Sequence, residues 1–97
     1  MSGPVRAVVK FGGEVVARAH DLAAMLVDVA TLSASGWTFA LCHGGGPQAN
    51  ALQSRLGVAT VKVAGRRVTD DATLQIMKCV LAGEVAVDVV AAALAQG

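Results

Sequence analysis

Apolar residues along this chain follow two different periods, and each period predicts an element of secondary structure. Val5 to Phe11 is a short β-branched run that ends at Gly12-Gly13, which predicts a strand followed by a glycine turn. From Asp21 to Ser35 the apolar residues recur at spacings of three and four, which predicts a helix with Asp21 as its N-cap and a glycine after its end. Trp37 to Cys42 predicts a second strand. A strand-helix-strand order of this length implies a right-handed connection and a parallel pairing of the two strands.

The second half of the chain predicts three more helices and a hairpin. The helix after the triple glycine has proline in its first turn, and the next helix is capped by Thr69 or Asp70 and ends near Gly83. The last helix is apolar on nearly all sides, so we expect it to lie in a core or against another chain. The predicted ranges are Pro47 to Leu56, a hairpin over Val58 to Val68 that turns near Gly65, Asp71 to Leu81, and Glu84 to Ala95.

Composition narrows the fold class. The chain has 97 residues, of which 55% are hydrophobic, 3% aromatic and 15% charged. Such an aliphatic chain is typical of an open, mainly parallel α/β sheet with helices on both faces. Residues 1–97 are long enough for one small domain or part of a larger one. The net charge is +1 without a basic cluster, so we expect neither a nucleic acid nor a membrane surface as a partner.

Cysteine usage and the amino end bear on location. Cys42 and Cys79 lie inside apolar patterns, so we interpret them as reduced, buried thiols rather than a disulfide. The first residues lack the apolar stretch of a secretory signal, and Val85 to Ala95 is too short to cross a bilayer. These features favour a cytoplasmic protein, and no residue spacing predicts a metal site.

Two glycine turns carry the candidate chemistry. Gly12-Gly13 and Gly44-Gly45-Gly46 follow the two predicted strands, and the carboxyl ends of parallel strands meet at one edge of a sheet. Backbone N–H groups there, together with Lys10 and the start of the next helix, would bind an anion. The alternatives are that the glycines only make tight turns and that Lys10 extends into solvent. His43 is interpreted as orienting its turn rather than as a catalytic base.

The predicted hairpin is a candidate lid because it carries two adjacent arginines. An arginine beside a set of N–H donors can bind a carboxylate through two parallel hydrogen bonds, which a lysine cannot do. The alternative is that one or both of Arg66 and Arg67 are solvated turn residues.

Three stretches together resemble a known family. Val8-Val9-Lys10-Phe11-Gly12-Gly13, His43 to Gln48, and Gly65-Arg66-Arg67-Val68-Thr69-Asp70 are similar, in this order, to the amino-terminal lobe of the N-acetylglutamate kinases, within the amino acid kinase family. The resemblance covers nearly the whole chain. It implies a carbamate-kinase-like α/β fold, here a partial domain with a β-hairpin lid, and the phosphorylation of the side-chain carboxylate of N-acetyl-L-glutamate by ATP with Mg²⁺ in arginine biosynthesis.

The resemblance also implies a role for each matching residue. Lys10 would stabilise the transferring phosphoryl group, and Arg67 rather than Arg66 would hold the α-carboxylate of the substrate. Gly12, Gly13 and Gly44 would donate hydrogen bonds to phosphoryl oxygens. Gly45 and Gly46 would hold the side-chain carboxylate. That carboxylate is already ionised at neutral pH, so no general base is needed.

Two departures from the family pattern limit this expectation. Gly83-Glu84-Val85-Ala86-Val87 stands where the family commonly has a glycine-lysine-valine-asparagine-lysine type of run, so a polar pair is apolar here. The resemblance further implies that a second lobe, outside residues 1–97, supplies the nucleotide pocket. We therefore expect the chain alone to be inactive as a kinase. The amino end lacks the extra helix that hexameric, arginine-inhibited members of the family carry, so the resemblance favours a simple homodimer.

Two other functions remain open from the sequence. The chain could be a stand-alone binding or assembly module of the same fold that lacks nucleotide chemistry. It could also belong to a kinase for a related acylated amino acid, such as an N-acyl-aminoadipate.

Overall fold

The computed structural model describes residues 5–97. The elements in chain order are β1 Val5–Phe11, α1 Gly13–Ala17, α2 Ala19–Ala34, β2 Trp37–His43, α3 Gly46–Arg55, β3 Lys62–Val63, β4 Arg66–Arg67, α4 Asp71–Lys78, a π-helical segment Cys79–Val85, and α5 Ala86–Leu94.

Strands β1 and β2 form a parallel two-stranded sheet, as the strand-helix-strand order predicts. Their register pairs Phe11 with His43, so the two strands end side by side. Strands β3 and β4 are antiparallel and turn through Ala64 and Gly65, whose φ angles are 51° and 79°. Positive φ at both central residues is typical of the type I′ turn of two-residue hairpins. The predicted α/β class, parallel sheet and hairpin are confirmed.

The core lies between one face of the sheet and the helices. Side chains alternate along both strands, so Val9 and Leu41 face the helices while Val8 and Cys42 lie on the opposite face. Within residues 5–97 that opposite face is open, and Val8 is 72% exposed. The buried apolar residues are Phe11, Val16, Leu22, Leu26, Ala49, Ile76, Val80, Val85 and Val89.

The first half contains one helix that the apolar pattern did not predict, and one cap that it placed wrongly. Helix α1 has only 5 residues, too few for a periodic signal. Helix α2 begins at Ala19 with Arg18 as its N-cap, so Asp21 is not the cap. Asp21 instead lies in the first turn, where its carboxylate is favourable beside free N–H groups.

The prediction that a helix ends near Gly83 is also wrong. Helical backbone continues from α4 through the π-helical segment into α5 without a break. Gly83 does not have the positive φ of a glycine that ends a helix. No atom lies within 4 Å of the position that its Cβ would take, so neither its backbone nor its packing interrupts the helix. The start of α4 agrees with the sequence, because Asp70 is its N-cap and accepts a hydrogen bond from the Thr73 N–H at 2.8 Å. That backbone hydrogen bond lowers the pKa of Asp70.

The prediction of buried thiols is wrong for both cysteines. Cys42 and Cys79 are free and exposed. Cys42 belongs to an apolar strand, but it lies on the open face of the sheet. Cys79 begins the π-helical segment on its outer side.

The described residues form an elongated layer. The radius of gyration is 15.9 Å, against about 13 Å for a compact domain of this length. The accessible surface is 6479 Å², against about 5100 Å² for a compact monomer of the same mass. Much of the excess is apolar, since Val87, Val90 and Leu94 of α5 are all more than half exposed. Only Val89 of that helix is buried, so it does not lie deep in the core of these residues.

Candidate functional site

The two glycine turns lie against each other at the carboxyl edge of the sheet. A Cβ on Gly44 would stand 3.2 Å from the Gly13 nitrogen, and a Cβ on Gly13 would stand 2.9 Å from Gly45 Cα. Gln48 of α3 joins the turns, because its Nε2 donates to the Gly13 carbonyl at 2.8 Å. The sequence predicted that both turns fall at one edge, and the structure confirms it.

The glycines of these turns differ in exposure, because Gly12 is exposed and Gly46 half-buried whereas Gly13 and Gly45 are buried. Within residues 5–97, the N–H groups of Gly12, Gly13, Gly45 and Gly46 donate to no protein acceptor. The Gly44 N–H differs, because it donates to the Phe11 carbonyl at 3.0 Å and so extends the sheet ladder. In this conformation the Gly44 N–H is therefore not free to donate a hydrogen bond to a phosphate oxygen, in contrast to the role that the resemblance implies.

Gly45 and Gly46 have different surroundings. A Cβ on Gly45 would meet Leu81 Cδ2 at 2.8 Å and Val85 Cγ2 at 3.3 Å, so the π-helical segment occupies that side of the turn. A Cβ on Gly46 would have no atom within 4 Å. Close packing within the protein accounts for Gly45, whereas the open space at Gly46 is where a ligand could approach the backbone.

Arg67 is the arginine that reaches the turn. Its Nη2 donates to the Gly46 carbonyl at 3.3 Å and to Asn50 Oδ1 at 2.7 Å, and its Nη1 donates to Gln53 Oε1. Arginine has more N–H donors than these contacts use, so donors remain for a ligand. Arg66 is exposed and is the solvated member of the pair, as the sequence allowed for one of them.

A fully buried glutamine supports Arg67. Gln53 is 0% exposed, and its Nε2 donates to the Ala59 carbonyl at 3.3 Å and to Thr73 Oγ1 at 3.4 Å. Its Oε1 accepts from Arg67 and from Thr60 Oγ1, the latter at 3.3 Å. A buried amide without such partners costs about 1–3 kcal/mol, so the satisfied network stabilises this arrangement.

His43 orients the turn that follows it. Its Nδ1 lies 3.0 Å from the Gly44 carbonyl oxygen, and the ring packs beside Phe11 with centroids 6.5 Å apart. A carbonyl only accepts hydrogen bonds, so in this contact Nδ1 carries a hydrogen and donates it. The geometry agrees with the orienting role expected from the sequence.

Two charged side chains lie near the strand end. Lys10 is exposed on the open face of the sheet, and within residues 5–97 it makes no ion pair. Glu14 places its Oε2 only 2.5 Å from where a Cβ on Gly12 would stand. A carboxylate at this point opposes the binding of a second anion, and the sequence pattern did not predict it.

The residues that sequence reasoning missed are mainly amides of α3. Gln48, Asn50 and Gln53 all face the turns or the hairpin. One signal for Gln53 was present in the sequence. Gln53 follows Leu52 and lies three residues after Asn50, at a position that the helical period places near the core, yet its side chain is polar.

The part of the chain that the structure describes has neither a metal-binding cluster nor a membrane-spanning helix. Across residues 5–97 no group of three or more His, Cys, Asp and Glu side chains is placed to hold a metal ion. No helix in the same range is long and apolar enough to cross a bilayer.

Comparison with known proteins decides the family. A family model described as the amino acid kinase family matches residues 5–97. The chain belongs to the amino acid kinase family. The glycine turns and the hairpin of this amino acid kinase chain thus occur in the order expected from the resemblance.

Three curated relatives illustrate the similarity. The acetylglutamate kinase of Anaeromyxobacter dehalogenans (strain 2CP-C) is 53% identical over 91 residues, which are 93% of this chain and 33% of the relative. That of Sorangium cellulosum (strain So ce56) is 48% identical over 96 residues, or 99% of this chain and 33% of the relative. That of Methanocella arvoryzae is 38% identical over 90 residues, which are 93% of this chain and 30% of the relative. The chain spans about one third of the length of the curated relatives it matches.

Proposed function

We propose that residues 5–97 form the acyl-amino-acid site of an N-acetylglutamate kinase, an enzyme that phosphorylates the side-chain carboxylate of N-acetyl-L-glutamate. One observation carries the proposal: Arg67 lies within hydrogen-bonding distance of Gly46, whose N–H is free at the start of α3. N-acetyl-L-glutamate has two carboxylates separated by a short carbon chain. A guanidinium and a set of N–H donors on one turn suit such a dicarboxylate.

The free N–H groups divide between the two turns. Gly45 and Gly46 begin α3, where the helix dipole adds about 0.3–1 kcal/mol to the binding of a negative group. We assign the acceptor carboxylate to them and the α-carboxylate to Arg67. Gly12, Gly13 and Lys10 lie on the β1 side and are assigned to the phosphoryl group. Gly44 is assigned a structural role, because its N–H belongs to the sheet.

ATP with Mg²⁺ would supply the phosphoryl group when bound. Of these residues, the ammonium of Lys10 and the N–H groups of Gly12 and Gly13 fit phosphoryl oxygens, since all are hydrogen-bond donors or cations. Residues 5–97 offer no cluster of metal ligands, so we assign no magnesium ligand to them. An ionised carboxylate acceptor needs no proton removed, and the residues present act by positioning and by offsetting negative charge.

We extend the proposal to location and assembly. Two free cysteines suit a reducing compartment, and we propose a cytoplasmic protein. The apolar, exposed side of α5 suits contact with another protein surface, and we propose a homodimer. No basic stripe is available for nucleic acid.

The test is titration of N-acetyl-L-glutamate into the purified 97-residue chain by calorimetry. We expect saturable binding that Arg67→Met weakens at least about tenfold, because a charged hydrogen bond is worth about 1.5–3 kcal/mol. Arg66→Met is the matched control and should leave the affinity within about twofold. Equal effects of the two substitutions would contradict the assignment of Arg67.

The same titration separates the alternative functions. N-acetyl-L-glutamine keeps the α-carboxylate but lacks the side-chain carboxylate, so it should bind more weakly than N-acetyl-L-glutamate. Tighter binding of N-acetyl-L-aminoadipate would indicate a kinase for that longer substrate. If neither N-acetyl-L-glutamate nor N-acetyl-L-aminoadipate binds, an assembly module is favoured and the proposed site is wrong for this chain.

A further inference from the structure

We propose that Gln53 is a positioning residue that aims the Arg67 guanidinium at the triple-glycine turn. The proposal rests on the proposed function in one respect, the assignment of Arg67 to a substrate carboxylate. Arg67 lies on a hairpin whose strands have only 2 residues each, so the hairpin alone cannot hold a long side chain in one direction. The contacts that orient it come from α3.

The amide of Gln53 has only one orientation that satisfies its neighbours. The Ala59 carbonyl can only accept a hydrogen bond, so it must face Nε2. The Arg67 guanidinium can only donate, so it must face Oε1. An amide supplies both groups on one planar unit. A carboxylate would leave the Ala59 carbonyl without a donor, and an apolar side chain would leave both neighbours without a partner.

The amide is itself held by the rest of the fold. Its burial is complete, and its Nε2 also donates to Thr73 Oγ1, a residue of α4 that is 2% exposed. The Thr73 backbone N–H in turn donates to the Asp70 N-cap. A chain of hydrogen bonds therefore runs from the start of α4 through Gln53 to Arg67, and it ties the direction of the guanidinium to the packing of two helices.

Asn50 contributes a second support from one turn earlier on α3. Its Oδ1 accepts from Arg67 Nη2 at 2.7 Å. Asn50 is only half-buried and contacts the nitrogen that also faces Gly46. Gln53 contacts the other nitrogen, so the two amides together fix the plane of the guanidinium.

The experiment compares Gln53→Met with the wild-type chain, and Gln75→Met on the exposed side of α4 is the matched control. Two readouts are used: the affinity for N-acetyl-L-glutamate, and the ¹⁵N NMR signal of the Arg67 side-chain Nε–H without ligand. We expect Gln53→Met to weaken binding about threefold to tenfold, the effect of one lost hydrogen bond. We expect it also to broaden or shift the Arg67 signal towards that of a mobile arginine. The control should change neither readout.

A double-mutant cycle separates positioning from simple packing. In the Arg67→Met background, Gln53→Met should change the affinity by less than about twofold, because Gln53 then has no guanidinium to position. An equal loss of affinity in both backgrounds would overturn the proposal. So would an unchanged Arg67 signal in Gln53→Met.

Gln53→Glu keeps an acceptor for Arg67 and covers the case in which Gln53→Met does not fold. We expect the Arg67 signal to stay ordered in Gln53→Glu while affinity falls, because the new carboxylate cancels the positive charge that attracts the ligand. A disordered Arg67 signal in this variant would also overturn the proposal. The NMR readout needs no ligand, so it tests Gln53 even if the wild-type chain fails to bind N-acetyl-L-glutamate, which would count against the proposed function alone.

Discussion

Gly45 and Gly46 are neighbours in sequence with opposite surroundings, and replacing each by alanine tests the division of the turn. In Gly45→Ala the new Cβ would stand 2.8 Å from Leu81 Cδ2, 3.3 Å from Val85 Cγ2 and 3.4 Å from Val80 Cγ1. Both valines are 0% exposed and cannot withdraw into solvent. The φ of Gly45 is −176°, an extended value that any residue adopts, so the expected cost comes from packing and not from backbone strain.

The magnitude follows from two opposing terms. Overpacking a dense site costs about 1–3 kcal/mol, and the loss of chain entropy in the unfolded state on replacing glycine offsets about 0.4–1 kcal/mol of that. We expect Gly45→Ala to lower the free energy of unfolding by about 1–2 kcal/mol, or the melting temperature by about 5–15 °C. Leu81 is half-buried, so rotation of its flexible end would bring the result to the lower limit.

Gly46→Ala is the control for stability and the test for binding. Its Cβ would enter open space, so the free energy of unfolding should stay the same or rise by up to about 1 kcal/mol, the gain from the less flexible unfolded chain. Because that space is where the ligand would approach, the affinity for N-acetyl-L-glutamate should fall. Urea unfolding gives the stabilities and calorimetry the affinities. The reasoning is refuted if Gly45→Ala is as stable as wild type, or if Gly46→Ala is the less stable of the two.

Three further predictions concern single side chains. Asp70→Ala should reduce stability at neutral pH, because the pKa of Asp70 is lowered in the folded state and its carboxylate therefore caps the helix best when ionised. The difference in stability from wild type should disappear as the pH falls below about 4. Urea unfolding at a series of pH values measures this difference. A constant difference at all pH values would contradict this. Ala64→Asn should raise the free energy of unfolding by about 0.5–1 kcal/mol, because Ala64 has a φ of 51° that asparagine adopts more readily; a lower melting temperature would contradict the turn assignment. Glu14→Gln should tighten the binding of inorganic phosphate in calorimetry, because it removes a negative charge beside Gly12, and unchanged affinity would show that Glu14 moves aside at no cost.

The elements that could be predicted from sequence are those with local causes. The runs that became β1, β2 and α3 were bounded by glycine and proline, which act through the backbone of their own positions. The hairpin followed from Gly65 between two valine-rich stretches. The edge at which the glycine turns meet followed from the parallel pairing of two strands joined by a crossover helix, because parallel strands end at the same edge of a sheet.

The features that could not be predicted depend on neighbours distant in sequence. Gly83 is a helix-ending residue by composition, yet it remains helical because the packing of Val80 and Val85 on the turn supports the segment around it. The cysteines occupy apolar positions, but their burial depends on which faces of the sheet and helices are covered.

The amino-acid sequence by itself determined the two parallel strands, the helix between them, the hairpin and the family. It also identified Lys10, the glycines and Arg67 as candidates, because all of these follow from local periodicity and short motifs. The tertiary structure alone decided how those candidates differ. It showed that the Gly44 N–H belongs to the sheet and that Gly45 is held by packing. It also showed that Arg67 contacts the Gly46 carbonyl directly and donates hydrogen bonds to Gln53 and Asn50. Hydrogen-bond partners and free volume at a glycine are set by residues tens of positions away, and no local pattern encodes them.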